Sequence, residues 1–150
     1  MSQEQRAVCL ECGAINRLPS GRPAAEAKCG GCGKLLFTGR PKDVDAAMLM
    51  RQVEKGTLPV VVDVWAAWCG PCRAMAPEYE RATAEGEPTA RFVKLDSDAE
   101  QALSAKLGIR SIPTLLLFRG GREIGRVAGA MPAAKIGSWV AERLNQQAGH

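Results

Sequence analysis

The stretch from Val60 to Cys72 constrains this chain more than any other. Val60-Val61-Val62-Asp63-Val64 reads as a buried strand, and it runs within five residues into Cys69-Gly70-Pro71-Cys72. Pro71 suits the first turn of a helix, where its missing N–H costs nothing. The resulting order is strand, paired thiols, helix, which puts a sulfur at a helix N-terminus. Unsatisfied backbone N–H groups and the helix dipole favour thiolate over thiol there. Cys69, where the strand ends, is expected to be the exposed and attacking sulfur. Cys72, one turn later, is expected to face inward and to resolve a mixed disulfide.

Asp63 is out of place in its valine run. A carboxylate on a buried strand is desolvated, which raises its pKa, and it could then accept and return the proton of Cys72. The alternative is an aspartate that reaches solvent at the strand end. Lys94, on the neighbouring strand over 90–95, could approach Asp63 and tune that proton; otherwise it is a surface lysine. The single histidine, His150, is read as frayed tail, so a Cys–His hydrolase has no general base.

The first 42 residues pose a separate problem. Cys9-Leu10-Glu11-Cys12 is followed, after sixteen residues, by Cys29-Gly30-Gly31-Cys32. Two close pairs of soft sulfurs suit one tetrahedral Zn2+. Gly13 and Gly33, each directly after a second cysteine, tolerate the left-handed turn that aims backbone N–H groups at coordinated sulfurs. The stretch between the pairs (Pro19, Ser20, Gly21, Pro23) is turn-rich and too poor in apolar residues to fold unaided. Structural zinc in such segments supplies roughly 10–16 kcal/mol of apparent binding energy, which is also folding energy. With four protein ligands the site is closed and non-catalytic. Two disulfides, four free thiols and an iron centre are the alternatives.

Composition supports a globular protein that uses these cysteines in a reducing compartment. Hydrophobic content is 46% and charge 24%, and the apolar runs are of strand length, too short for a membrane span. Met1-Ser-Gln-Glu-Gln-Arg lacks the apolar core of a secretory signal, which points to the cytoplasm. There six cysteines read as metal ligands or redox groups. The net charge of +4 comes wholly from residues 1–42, which hold seven Lys and Arg against three Glu. It reads as a solvated face rather than a nucleic-acid patch. Nothing in the sequence indicates an oligomer.

In the rest of the chain, Asp43 can cap a helix carrying Val44, Ala47, Met48 and Arg51 on one face and ending near Gly56. A strand over 58–65 leads to the dithiol and to a helix reaching Ala84, with Pro77 inside it. A strand over 90–95 and a helix over 98–107, stopped by Gly108, come next. Thr114–Phe118 and Glu123–Ala128 flank Gly120-Gly121, a hairpin signal. Ile136, Trp139, Val140 and Leu144 give a last helix its apolar face. The expected architecture is α/β: a mixed sheet with helices on both faces over 43–150, preceded by a zinc-ribbon-like module over 1–42.

Trp68-Cys69-Gly70-Pro71-Cys72, with Asp63, Pro77, Lys94, Pro113 and Gly129, resembles the thioredoxins. The paired-cysteine segment resembles that of the zinc-binding bacterial thioredoxins of the thioredoxin-two type. The resemblance implies a thioredoxin fold and a protein-disulfide reductase, with Cys69 and Cys72 catalytic and Asp63, Lys94 and Pro113 assisting. It implies disulfide-containing protein substrates held near Trp68, Gly70, Pro71, Ile112 and Gly129, and an NADPH-dependent flavin reductase that restores the dithiol. Gly-Pro between the thiols is the reductant type of dipeptide in that superfamily. On local sequence alone Ile112-Pro113 is expected trans; the resemblance implies cis. Trp65 is expected in the core and Trp68 partly exposed. The rival reading is a redox-regulated binding protein in which residues 1–42 recognise a partner.

Overall fold

The computed structural model describes residues 4–148, so the expectation for His150 lies outside them. The valine run becomes a strand, β4 (Val60–Trp65), because both of its faces are covered. β3 (Lys42–Asp43), β5 (Arg91–Asp96), β6 (Thr114–Arg119) and β7 (Arg122–Ala128) join it in one sheet of order β3-β5-β4-β6-β7. β3, β5 and β4 run parallel; β6 and β7 are antiparallel and turn through Gly120 (φ 63) and Gly121 (φ 80). Left-handed backbone at both turn residues is what glycine tolerates.

Alternation along β4 divides the core. Val60, Val62 and Val64 pack with Val93, Leu95, Leu116 and Phe118 against α1 (Ala46–Lys55) and α3 (Gln101–Lys106). Val61 packs with Phe92, Leu115 and Leu117 against α2 (Gly70–Gly86) and α4 (Ala133–Ala148). The two-residue period of a strand therefore puts Asp63 on the α2 side, with Val61. On that side Tyr79 donates its hydroxyl to the carbonyls of Val93 (2.7 Å) and Val61 (3.1 Å), fixing α2 to two strands at once.

Asp43 does not cap α1. It ends β3, whose residues pair with Val93 and Lys94 of β5, and the cap is Asp45, whose carboxylate accepts from Met48 N at 2.8 Å. Both aspartates suit the local rule; pairing with β5 holds the first one extended. α2 runs through Pro77 to Gly86, two residues beyond the expected end, and β4 starts at Val60 rather than at 58. α3 starts at Gln101 rather than at 98, and Gly108 follows it in left-handed backbone (φ 70).

The N-terminal segment contains β1 (Gln5–Val8) and β2 (Ile15–Leu18), an antiparallel pair that the turn-rich sequence did not suggest. Its own small core is Ala7, Cys9, Leu18, Cys29, Leu36 and Phe37, with Leu58 of the main domain against it. The segment lies along α1. Thr57 N donates to Arg6 O (3.0 Å), Gln52 Nε2 to Val8 O (3.0 Å) and Arg51 Nε to Gly13 O (2.6 Å).

Candidate active site and metal centre

Cys69 is the N-cap of α2. Its backbone is extended (φ −86, ψ 113), its N–H donates to Ala66 O at 3.1 Å, and its sulfur accepts from Cys72 N at 3.2 Å. Pro71 occupies the first turn, so the helix starts without a wasted donor. Cys69 and Cys72 are joined as a disulfide, with their Cα atoms 5.3 Å apart. The expectation of an exposed Cys69 needs correcting: it is 5% exposed, against 2% for Cys72. Bonding to Cys72 and packing with Ala66, Trp65 and Ile112 cover the sulfur.

The loop before β6 faces this pair. Ile112-Pro113 is cis, and Ile112 O lies 3.8 Å from the Cys69 sulfur. Pro113 O accepts from Gly129 N (2.8 Å), and Gly129 itself is left-handed (φ 103). Thr114 Oγ1 donates to Ser111 O at 2.6 Å and tightens the same loop. Beside the disulfide opens a cleft of about 620 Å³, lined by Trp68, Gly70, Pro71, Gln101, Arg110 and Ile112. Trp68 is 68% exposed, and its indole N–H is anchored on Asp98 Oδ2 at 2.8 Å.

Asp63 is fully buried, and neither carboxylate oxygen meets a hydrogen-bond donor among the described residues. Burial pushes its carboxyl up to about 7; Lys94 opposes the rise and Asp43 adds to it. A strand-end aspartate reaching solvent is thereby excluded. Lys94 sits opposite Asp63 in the β4–β5 register and carries its ammonium 4.5 Å over the Trp65 ring. Trp65 is half-buried rather than core, because its indole N–H reaches outward to Asp43 Oδ1 at 2.7 Å.

The four remaining cysteines converge. Their sulfurs all lie within 4.8 Å of one another, with Cys9–Cys32 at 3.7 Å and Cys12–Cys29 at 3.5 Å. A tetrahedral Zn2+ with Zn–S bonds of about 2.3 Å needs sulfur–sulfur edges of about 3.8 Å, so the set fits that ion. Glu11 N donates to Cys9 Sγ and Gly31 N to Cys29 Sγ, both at 3.3 Å. Gly13 (φ 79) and Gly33 (φ 80) adopt the left-handed turns expected of them. The Asn16 amide, 3.4 Å from Cys29 Sγ, leads the groups that pull that thiol below the usual cysteine range. Cys9 and Cys29 are buried, Cys12 and Cys32 exposed.

Comparison with known proteins agrees with this geometry. The family model described as Thioredoxin matches residues 41–142, and the one described as Thioredoxin 2, N-terminal, matches residues 8–34. The chain belongs to the thioredoxin family. Thioredoxin C-3 of Corynebacterium nephridii is 37% identical over 143 residues, 95% of this chain and 98% of that protein. A thioredoxin of Synechocystis is 40% identical, covering 67% of this chain and 94% of its own length. The crystal structure of spinach chloroplast thioredoxin f superposes with a TM-score of 0.65 at 34% identity, over 71% of this chain and 88% of that one.

This thioredoxin-family chain is a thiol–disulfide oxidoreductase with a thioredoxin fold and an N-terminal zinc-ribbon-family module whose four cysteines are placed to bind a metal. Among its described residues no helix is long and apolar enough to cross a membrane. The structure gathers Cys69, Cys72, Trp68, Gly70, Pro71, Ile112 and Pro113 at one end of the sheet, with Gly129 tied to Pro113. Asp63 of β4 and Lys94 of β5 are register partners further from that end of the sheet. Sequence reasoning missed Asp43 and Asp98, the acceptors of the two indoles. Only their acidic character within a few residues of strand ends could have flagged them.

Proposed function

We propose that this chain reduces disulfides in other proteins through Cys69 and Cys72. The observation that carries this reading is the redox-closed pair at the start of α2, facing a cis-proline loop beside an open cleft. In the reduced protein the Cys69 thiolate attacks a substrate sulfur, forming a mixed disulfide and expelling one substrate thiolate. Cys72 then loses its proton and attacks Cys69 Sγ. The mixed disulfide breaks, the second substrate thiolate leaves, and the Cys69–Cys72 disulfide closes.

Asp63, with a carboxyl that titrates near neutrality, takes the Cys72 proton, and Lys94 lowers its affinity for that proton. Trp68, Gly70, Pro71, Ile112 and Gly129 form the surface that a substrate strand meets, with Pro113 presenting the Ile112 backbone. An NADPH-dependent thioredoxin reductase supplies the two electrons that reopen the pair. The protein works in the cytoplasm as a monomer.

The chain divides into a zinc module over 1–42 and a thioredoxin domain over 43–150. Cys9, Cys12, Cys29 and Cys32 hold one Zn2+, which supplies structural cross-linking. Because all four positions are thiolates, no ligand site is open for catalysis. Exposure of Cys12 and Cys32 supports a second reading, in which oxidation releases the metal. Peroxide treatment that leaves the metal bound and all four thiols unmodified counts against it.

The test of the main reading follows NADPH loss in the presence of a thioredoxin reductase and a disulfide-containing protein. Turnover that depends on Cys69 is expected. Undiminished turnover with Cys69→Ser would sink the proposal.

A further inference from the structure

We propose that Arg91 is the buried counter-cation of the metal centre, reaching from the thioredoxin domain to hold the zinc module's main chain and balance its thiolate charge. A Zn2+ with four thiolates carries a net charge of −2. Cys9 and Cys29 are buried, so part of that charge is not screened by water. Arg91 opens β5 and is itself only 2% exposed.

Both terminal nitrogens of its guanidinium donate into the module. Nη1 donates to Leu36 O (2.8 Å) and Nη2 to Val8 O (3.0 Å), while Nε donates to Gln52 Oε1 (3.2 Å). Gln52 returns an amide hydrogen to the same Val8 carbonyl at 3.0 Å. The plane of Arg91 also lies over the Phe37 ring, 4.5 Å from its centre. Val8 precedes the ligand Cys9. Leu36 and Phe37 follow the second cysteine loop, which closes by Cys29 N donating to Lys34 O. One side chain of the thioredoxin domain therefore grips the backbone leading into the first ligand pair and the backbone leaving the second.

A mechanical clamp alone would not require a charge there. Burying a guanidinium is costly unless anions compensate it. Glu87, at 3.6 Å from Nη1, supplies one, but it is buried as well and also accepts from Gly39 N and Phe92 N. The other is the metal centre: Nη2 is bonded to the carbonyl of Val8, the residue directly before the ligand Cys9. Arg91 and Glu87 carry opposite charges 3.6 Å apart, so neutralising one or the other shifts the potential at the metal centre in opposite directions. That opposition separates a charge role from a packing role.

The test uses the full chain and titrates Zn2+ against a chromophoric chelator, with near-UV circular dichroism to check folding. Arg91→Gln removes the charge together with most of the donors to Val8 O and Leu36 O, and is expected to weaken zinc binding at least tenfold, whereas the Lys and Glu87 variants isolate the charge. Arg91→Lys keeps the charge and is expected to fall between Arg91→Gln and wild type. Glu87→Gln removes the opposing negative charge and is expected to tighten binding severalfold. If Arg91→Gln does not fold, the Lys and Glu87 variants decide the question. Unchanged affinity in folded Arg91→Gln, or weakening by Glu87→Gln, overturns the proposal. It rests on the module holding zinc. Wild-type protein that bound none would overturn that reading too, whereas normal wild-type binding with insensitive variants would sink this inference alone.

Discussion

Three Cys-x-x-Cys segments in this chain begin alike and end differently. In each, the N–H of the residue after the second cysteine donates to the carbonyl of the first: Gly13 to Cys9 (2.9 Å), Gly33 to Cys29 (2.8 Å) and Arg73 to Cys69 (3.1 Å). The residue making that bond then decides the outcome. Gly13 and Gly33 turn left-handed, so the chain doubles back and Cys9 N and Cys29 N bond to Ala14 O and Lys34 O. Arg73 continues into α2, so the third turn becomes the first turn of a helix. Reversal brings two pairs of sulfurs face to face for a metal. Continuation leaves the third pair alone, with each other as partners. Spacing between cysteines does not assign their chemistry; the backbone just after them does.

The largest effect should come from the solitary pair. Cys69→Ser is expected to reduce disulfide-reductase turnover to background, while Cys72→Ser accumulates mixed disulfides visible on non-reducing gels. Both should leave bound zinc at wild-type stoichiometry. Loss of metal from either variant would break the separation between the two kinds of site.

Removing zinc with a strong chelator tests the other side. Since structural zinc contributes roughly 10–16 kcal/mol of apparent binding energy, residues 5–37 should lose amide protection. Protection in β4 and α2 should outlast it. Simultaneous loss everywhere would mean that the ribbon and the thioredoxin domain fold as a single unit.

Asp63 gives a pH test confined to the thioredoxin domain. Its folded pKa of about 7 lies above the ordinary value of 3.8, so the native state holds the proton more tightly than the unfolded chain. The resulting penalty is absent below about pH 4, grows as pH rises, and is complete above the folded pKa. Asp63→Asn is therefore expected to exceed wild type in stability by on the order of 4 kcal/mol at pH 8 and to match it near pH 3. Urea unfolding at the two pH values checks this. Slower turnover in the same variant would support the proton-transfer role.

Smaller effects address the turn itself. Gly33→Ala has no atom within 4 Å to collide with, so it isolates the cost of a left-handed alanine, about 1–2 kcal/mol. It should appear as weaker zinc binding with an unchanged dithiol. Arg73→Gly should cost at most about 1 kcal/mol of helix stability, measured by thermal unfolding, and should not draw Cys69 or Cys72 into a metal site.

Local signals carried much of this molecule. The valine run, the glycine hairpin and the apolar face of α4 each reflect a period that survives into the fold. The convergence of Cys9, Cys12, Cys29 and Cys32 was legible because two close pairs of soft sulfurs suit one tetrahedral ion. What stayed hidden depended on neighbours distant in sequence. Asp43 and Asp45 are equally good caps until β5 claims the first. Arg91 reads as an ordinary polar strand residue, because the groups that bury it lie 55 and 83 positions away. Cys69 was expected exposed on its position at a strand end, but its coverage comes from Ile112 and from the disulfide itself.

The joint between ribbon and domain has an evolutionary corollary. Arg51, Gln52 and Arg91 all address carbonyl oxygens of the ribbon: Gly13 O, Val8 O and Leu36 O. Every amino acid presents that oxygen, so the attachment places little demand on which side chains the ribbon displays to solvent. Its outer face is therefore free to drift toward new purposes while the seam beneath it stays intact.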